Sequence, residues 1–201
     1  RGGENYAVFL VIGLVVWRWI SSSINSSAKS ILRYSSIINQ VSLPKSIFPL
    51  TFTFSQLFNF LFGLIVVFAF LLVFGFTPSW YVLYLPLLII ITIIFLLAIG
   101  LVLGFVTIFV RDIDNILTHV IRVLFYASAI IFPGGRLPEE YKWVVDYNPI
   151  AIIVQSYRDI LMHYRTPDLT SLGIIFGISL IVGIWAIYYY NKNEHKIIKT
   201  L

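Results

Sequence analysis

Few residues in this chain have the types and spacing that catalysis or metal binding requires. Asp112 and Asp114 form an Asp-x-Asp pair, a pattern that also holds metal ions in sugar transferases. Two carboxylates without further ligands fit a helix start better, because Asp112 can cap free backbone amides there and complement the helix dipole. The three histidines, His119, His163 and His195, lie on separate segments. We therefore expect no metal site.

The sequence motifs of the common catalytic sites are missing as well. The chain has no phosphate-binding loop, no His-Glu-x-x-His and no Gly-x-Ser-x-Gly elbow. Ser179 in "GISLIVG" lacks the second glycine at the required spacing. The absence of cysteine excludes disulfides and thiol chemistry. We expect neither catalysis by this chain nor a cofactor bound to it.

The composition indicates a membrane protein. Hydrophobic residues make up 59% of the 201 positions and charged residues 11%, whereas soluble domains average about 45–50% apolar and about 25% charged residues. A membrane helix needs roughly 20 mostly apolar residues. The chain contains five such runs, so we predict an all-α polytopic domain with spans at about 6–24, 48–75, 81–110, 116–132 and 169–190.

The distribution of charge predicts the orientation of these spans. One side of this predicted topology carries most of the bases, and such an excess marks the cytoplasmic side. These residues are Arg18, Lys29, Arg33, Lys45, Arg111, Arg122, Lys192, Lys196 and Lys199. The carboxyl terminus is then cytoplasmic and Arg1 external, so we expect a further span before Arg1. The net charge of +5 reflects orientation, and no basic face or motif indicates nucleic acid.

Two features predict how the helices are arranged. Beyond the first span, Ile20, Ile24, Ala28 and Ile31 recur at helical spacing, which favours a helix that continues out of the bilayer over a flexible linker. Small residues spaced by four allow close approach of helices. The pairs Gly100 with Gly104 and Gly173 with Gly177 have this spacing.

Residues 133–164 predict a hairpin that does not cross the membrane. A Pro-Gly-Gly break at 133–135 precedes one short helix at about 138–146 and a second that Asn148 caps and Pro149 begins. About 15 helical residues rise only about 22 Å. The pair can therefore enter the outer leaflet and return, and irregular backbone at that depth must face protein or a watery cavity. We expect the hairpin to line a mouth.

Arg158 within this hairpin is a candidate for a specific polar role, because it lies between the apolar Tyr157 and Leu161. One interpretation is that its side chain extends to the lipid headgroups. The other is that it pairs with an acid such as Asp146 or Asp159, or contacts a passing substrate.

The predicted spans at 48–75, 81–110 and 169–190 contain no Asp, Glu, Lys, Arg or His. Ion-coupled transporters usually keep an ionisable group or a broken binding helix at mid-membrane. The sequence thus argues against ion-driven transport, and energy for a pump must come from a partner. The remaining polar residues are neutral and either bind helices together or face a pathway: Ser55, Gln56, Asn59, Thr92, Thr107 and Ser128.

The whole chain resembles the membrane subunit of ABC-2-type exporters of lipid-linked polysaccharide, the teichoic-acid and O-antigen translocation permeases. The resemblance rests on the order and spacing of several short motifs. These are "GLVVW" at 13–17, "LPKSIFP" at 43–49, "FVRD" at 109–112, "LFYASAI" at 124–130, "LP" at 137–138, "NP" at 148–149 and "SYRDIL" at 156–161. The family usually has Ser-Pro where this chain has Ser128 and Ala129, and an uncharged residue at the position of Arg18.

The resemblance implies a type V ABC exporter fold and a homodimer of six-span subunits in the bacterial cytoplasmic membrane. The beginning of each subunit would be an interfacial helix and a first span. Two ATPase subunits with ATP and Mg would close beneath, and their motion would pass through the segment 25–47 and the turn 111–115. The implied coupling residues are Lys29, Arg33, Pro44, Lys45, Arg111, Asp112 and Asp114.

The resemblance also makes the hairpin 133–164 a pair of external gate helices, past which a lipid-linked glycan moves outward between the two copies. The implied gate residues are Tyr126, Trp143, Tyr147, Asn148, Pro149, Tyr157 and Arg158. Three alternatives stay open: an ABC-2-type exporter of a drug or small lipid, a membrane-embedded glycosyl or acyl transferase that uses Asp112 and Asp114, and a structural scaffold.

Overall fold

The computed structural model describes residues 2–38, 44–110, 112–132 and 139–193. Every regular element in this part of the chain is a helix, as the composition predicts. The α-helices are α1 Gly2–Arg33, α2 Ser35–Ile38, α3 Ile47–Val73, α4 Leu85–Phe109, α5 Ile113–Ala127, α6 Lys142–Asp146, α7 Pro149–Leu161 and α8 Leu169–Lys192, and short 3-10 turns cover Trp80–Tyr84 and Glu139–Tyr141. Among the described residues, four segments are long and apolar enough to cross a membrane: Tyr6–Arg33, Ile47–Val73, Trp80–Phe109 and Leu169–Lys192.

The first helix continues without interruption through the serine-rich stretch, as its apolar spacing predicts. Ile20, Ile24, Ala28 and Ile31 are all buried. The serine hydroxyls do not break the helix because several donate to carbonyls one turn earlier, as Ser26 does to Ser22. This helix packs against α3 and α4 and extends as one rod beyond the apolar run at 6–24.

The α4 helix is the central element of the bundle, in contact with α1, α3, α7 and α8. Its packing depends on the first predicted glycine pair. A Cβ at Gly100 would lie 2.9 Å from Ser27 Cβ, and one at Gly104 would lie 2.8 Å from Pro49 Cγ. The structure therefore confirms close helix approach at this pair. At Gly173 and Gly177 an added Cβ meets nothing within 4 Å, so the expected contact is not made within the described chain.

The run at 116–132 differs from the predicted span. The run overlaps α5, which begins earlier at Ile113 and ends at Ala127, and these 15 residues rise only about 22 Å, less than the bilayer core of about 30 Å. The helix ends because Ala129 adopts a left-handed backbone conformation with φ of 51°, which cannot continue a right-handed helix. Proline, whose φ is fixed near about −65°, could not adopt this conformation, so the break here is built differently from a Ser-Pro break.

The start of α5 also differs in detail from the prediction. Asp112 occupies the N-cap position, but its side chain makes no capping hydrogen bond. Its backbone has φ of −87° and ψ of 10°, whereas a side-chain cap normally requires an extended backbone. The predicted position of the helix start is therefore confirmed, and the predicted capping bond is wrong.

The predicted hairpin contains two helices of different character. The first is a 3-10 turn at Glu139–Tyr141 that runs directly into the five residues of α6. The described part of the helix predicted at about 138–146 is therefore helical throughout, with a 3-10 first turn. The second, α7, begins at Pro149 as predicted, and ten of its 13 residues are buried. It packs against α1, α4, α8 and the turn Trp80–Tyr84. Burial on nearly all sides marks α7 as a core helix rather than a surface helix with one apolar side.

Candidate functional site: the buried re-entrant helix and the coupling end

The amino-terminal end of α7 is held by Asn148. Its Oδ1 accepts a hydrogen bond from the amide of Ile150 at 3.0 Å. Its Nδ2 donates to Ser128 Oγ at 3.0 Å and to the carbonyl of Ala127 at 3.3 Å. The predicted cap is confirmed, and the same side chain also ties the start of α7 to the end of α5.

The guanidinium of Arg158 binds three backbone carbonyls deep in the bundle. Its Nη2 donates to Ile130 O at 2.8 Å, its Nη1 to Ala129 O at 3.0 Å and its Nε to Phe9 O at 3.4 Å. The side chain is 1% exposed, and its Cζ lies 3.5 Å from the centroid of the Phe9 ring, a cation–π contact. Arg158 thus joins α7 to α1 and to the residues that follow α5.

Two of the predicted roles of Arg158, extension to the headgroups and pairing with an acid, are wrong, and contact with a passing substrate stays a prediction. A side chain that is 1% exposed does not extend to the headgroups. It does not pair with Asp159 either, because that carboxylate binds Arg165 Nη2 at 2.8 Å and accepts a hydrogen bond from Gln155 Nε2 at 2.8 Å. Asp146 forms no ion pair within the described ranges. Sequence could not reveal the actual partners, because any residue supplies a carbonyl.

Gly13 makes room for this arginine. An added Cβ would overlap Nη2 of Arg158 and would lie 3.3 Å from the carbonyl of Ile130. A glycine one turn after Phe9 therefore lets the guanidinium reach the carbonyls between α1 and the end of α5. In the sequence, Gly13 is the first residue of the "GLVVW" motif, and no local pattern connects it with Arg158.

Tyr157 lies next to Arg158 and closes the centre of the bundle. It is fully buried, its ring meets Phe60 edge-on at 5.7 Å between centroids, and Phe60 stacks on Trp19 at 4.2 Å. Its hydroxyl lies 3.5 Å from Thr92 Oγ1. Through Tyr157, α7 therefore contacts Phe60 of α3 and Thr92 of α4.

The implied gate residues fall into three groups by burial. Tyr126, Trp143 and Tyr147 are exposed, and Tyr147 is the most exposed of them at 83%. Asn148 and Pro149 are half-buried. Tyr157 and Arg158 are buried. The structure brings the last four together around the start and middle of α7. The three exposed rings lie on α5, on α6 and in the turn that follows α6.

The implied coupling residues lie on elements that meet at one end of the bundle. There Ile31, Leu101, Ile108, Ala186 and Tyr190 form a small core, and Tyr190 donates to the carbonyl of Leu101 at 3.1 Å. Around this end, Arg33, Pro44 and Asp112 are exposed, Lys29 is half-buried and Lys45 is buried. Arg111 and the side chain of Asp114 lie outside the described residues.

The loop between α7 and α8 carries two perturbed ionisable groups. Asp168 caps α8, accepting from the amides of Thr170 and Ser171 at 3.1 and 3.2 Å. The hydrogen bond from the Ser171 hydroxyl has the largest effect in lowering the pKa of Asp168, and the hydrogen bonds from these two amides lower it further. Partial burial lowers the pKa of His163, and the nearby negative charge of Asp159 offsets only part of this effect. Within the described ranges no three His, Cys, Asp or Glu side chains cluster so as to hold a metal.

Comparison with known proteins places this arrangement of helices in a family. The sequence model described as "ABC-2 type transporter" matches residues 3–162. The chain belongs to the ABC-2 type transporter family. The resemblance read from the short motifs is therefore confirmed at the family level, and the chain is a multi-pass membrane domain of this class.

The relatives share sequence along almost the whole chain. Two proteins of Klebsiella pneumoniae, each named O-antigen export system permease protein RfbA, are 30% and 29% identical over 198 residues, which is 98% of this chain and 76% of theirs. A protein of the same name from Myxococcus xanthus is 25% identical over 184 residues, 90% of this chain and 70% of its own length.

Proposed function

We propose that this ABC-2 type domain is the membrane subunit of an ATP-driven exporter that moves a lipid-linked polysaccharide, an O-antigen or a teichoic acid, across the bacterial cytoplasmic membrane. The observation that carries the proposal is similarity along 98% of the chain to permeases named for O-antigen export. The buried re-entrant helix α7 and its arginine lie within the matched residues 3–162.

A partner ATPase supplies the energy in this proposal. The interiors of α3, α4 and α8 contain no Asp, Glu, Lys, Arg or His, which disfavours coupling to protons or sodium. ATP and Mg would bind to the partner and not to this chain. Each chain of a homodimer would contact one ATPase. The glycan would pass between the two membrane chains.

The end of the bundle that carries Arg33, Pro44 and Asp112 is the proposed contact with the ATPase. The excess of basic residues in the loops on this side supports a cytoplasmic position. The segment 25–47 and the turn 111–115 would then transmit the closure of the ATPases. The α6–α7 pair would act as the external gate, with Tyr126, Trp143 and Tyr147 on the substrate side.

Transport by the reconstituted complex tests the function. The full-length chain and its ATPase are placed in vesicles with a polyprenyl-diphosphate-linked glycan, and ATP-dependent protection of the glycan from an external glycosidase is measured. We expect protection that requires ATP and disappears with a hydrolysis-deficient ATPase. Transport of a drug or small lipid in place of the glycan would favour the alternative exporter.

Cysteine crosslinking tests the orientation. Cysteine at Arg33 or at Asp112 is expected to crosslink to the ATPase, whereas cysteine at Trp143 or Tyr147, exposed residues of α6 and its following turn, serves as the matched control. Crosslinks from the Trp143 and Tyr147 positions alone would show that the proposed topology is inverted.

A further inference from the structure

A polar groove runs along α1 and opens beside α3. One part, about 430 Å³, lies between these helices, and a second part, about 620 Å³, follows the last turns of α1. Ser22 lines both parts, so the two adjoin along α1. The polar lining of the groove consists of Arg18, Ser22, Asn25, Ser26, Lys29, Arg33, Gln56 and Asn59.

Arg18 is the unusual member of this lining. It lies 12 residues after Tyr6 in the membrane-spanning part of α1, about 18 Å along the axis. Its side chain is exposed and forms no ion pair or hydrogen bond within the described ranges. An unpaired cation at membrane depth is costly and marks a functional position. No acid of the described chain lines either part of the groove.

Neutral hydrogen-bond donors surround Arg18. On α3, Asn59 Nδ2 donates to Gln56 Oε1 at 3.0 Å, which leaves the amide nitrogen of Gln56 available as a donor. Trp19 lines the same part of the groove, but its indole N–H is buried and cannot reach a ligand there. A cation and amide donors with no acid beside them in the described lining favour an anionic, oxygen-rich ligand.

The far end of the groove is apolar. Val15 and Gly63 face each other there, since a Cβ on Gly63 would lie 3.0 Å from Val15 Cγ1. Phe62 and Val66 complete this wall and are exposed. The polar side chains lie toward the Arg33 end and the apolar ones toward the opposite end. This polarity matches an amphipathic molecule whose charged head points toward Arg33.

We propose that this groove binds the diphosphate headgroup of a polyprenyl lipid, with the phosphates at Arg18, Gln56 and Asn59 and the first prenyl units along Val15 and Val66. The assignment names the part of the substrate that the exporter holds, and it therefore rests on the proposed function. Lys29 and Arg33, which follow Arg18 along the same lining, form the cationic entrance through which the headgroup reaches Arg18.

Direct binding tests the assignment without requiring transport. The full permease–ATPase complex is purified, and its affinity is measured by native mass spectrometry for a polyprenyl diphosphate, for the polyprenyl alcohol of equal length and for phosphatidylglycerol. We expect the diphosphate to bind at least about tenfold more tightly than either other lipid. Arg18→Gln should remove about tenfold or more of that preference, since charge-assisted hydrogen bonds are lost.

Arg122→Gln is the matched control, because Arg122 is an exposed cation on α5 that does not line the groove. It should leave the preference unchanged, and Arg18→Gln should leave the melting temperature unchanged. Equal loss in both variants, an unaltered preference in Arg18→Gln, or equal affinity for phosphatidylglycerol would overturn the assignment. Arg18-dependent binding in a complex that moves no glycan would support the groove and reject the proposed function.

Discussion

Arg158 and Arg18 are both arginines on mostly apolar helices, yet their surroundings are opposite. Arg158 is buried and donates to the carbonyls of Phe9, Ala129 and Ile130. Arg18 faces a groove and has no partner among the described residues. An arginine whose donors are satisfied by the fold stabilises that fold, whereas one whose donors stay free can bind a ligand. Arg158 thus has the contacts of a structural residue, and Arg18 is the residue proposed to bind a ligand.

Replacing each arginine by alanine is the most direct way to break this comparison. Arg158→Ala removes three hydrogen bonds and leaves carbonyls unpaired in the bundle, so we expect a loss of about 3 kcal/mol or more in the free energy of unfolding. Arg18→Ala should cost less than about 0.5 kcal/mol, as exposed substitutions usually do. The measurement is the thermal unfolding of the purified complex.

Arg158→Lys sharpens the same test. Lysine keeps the charge but lacks the planar fork that reaches three carbonyls, so its stability should fall between wild type and Arg158→Ala. Wild-type stability in Arg158→Ala would contradict the structural role, and a large loss in Arg18→Ala would show that Arg18 has a partner in the assembled complex.

Gly13→Ala tests the space around Arg158. Its Cβ would overlap Nη2 of Arg158, so the guanidinium must leave its carbonyls and we expect a loss of about 1–3 kcal/mol. Gly177→Ala is the matched control, since nothing lies within 4 Å of its Cβ position. The double variant Gly13→Ala, Arg158→Ala should lose less than the sum of the single changes. Additive losses would mean that the two residues act independently.

Asn148→Ala probes the other attachment of α7. The change removes the cap on the Ile150 amide and the bonds to Ser128 and Ala127, with an expected cost of about 1 kcal/mol. Because Arg158 still holds the middle of α7, we expect faster amide hydrogen exchange at Ile150 but not at Met162. Equal acceleration along the helix would show that Asn148 and Arg158 act as one unit.

Asp168→Ala gives the smallest expected effect and a pH signature. The pKa of Asp168 is below its ordinary value of 3.8 because the ionised carboxylate accepts from Ser171 and Thr170. Its contribution is therefore present above pH 3.8 and is lost as the pH falls through the folded-state pKa. We expect faster amide exchange at Ser171 in the variant at neutral pH, with the difference shrinking in acid. A difference that persists at low pH would exclude the carboxylate as its cause.

Much of the fold follows from sequence because its causes are local. The continuation of α1 through the serines depends on apolar spacing, the start of α7 on the Asn148–Pro149 pair, and the close approach at Gly100 on the missing side chain. The end of α5 was less predictable. It depends on Ala129 at φ of 51°, and an alanine in a sequence does not indicate a left-handed backbone, which is typical of glycine.

The sequence by itself determined that the chain is an all-helical membrane domain, where α7 begins and which family it belongs to, because hydrophobicity, caps and motif spacing are properties of neighbouring residues. Only the tertiary structure decided the roles of the two arginines. Arg158 is bound by carbonyls that lie 28, 29 and 149 residues away, and carbonyls are the same in every residue. Whether a charged side chain is satisfied depends on where distant backbone lies, and that information exists only once the helices have packed.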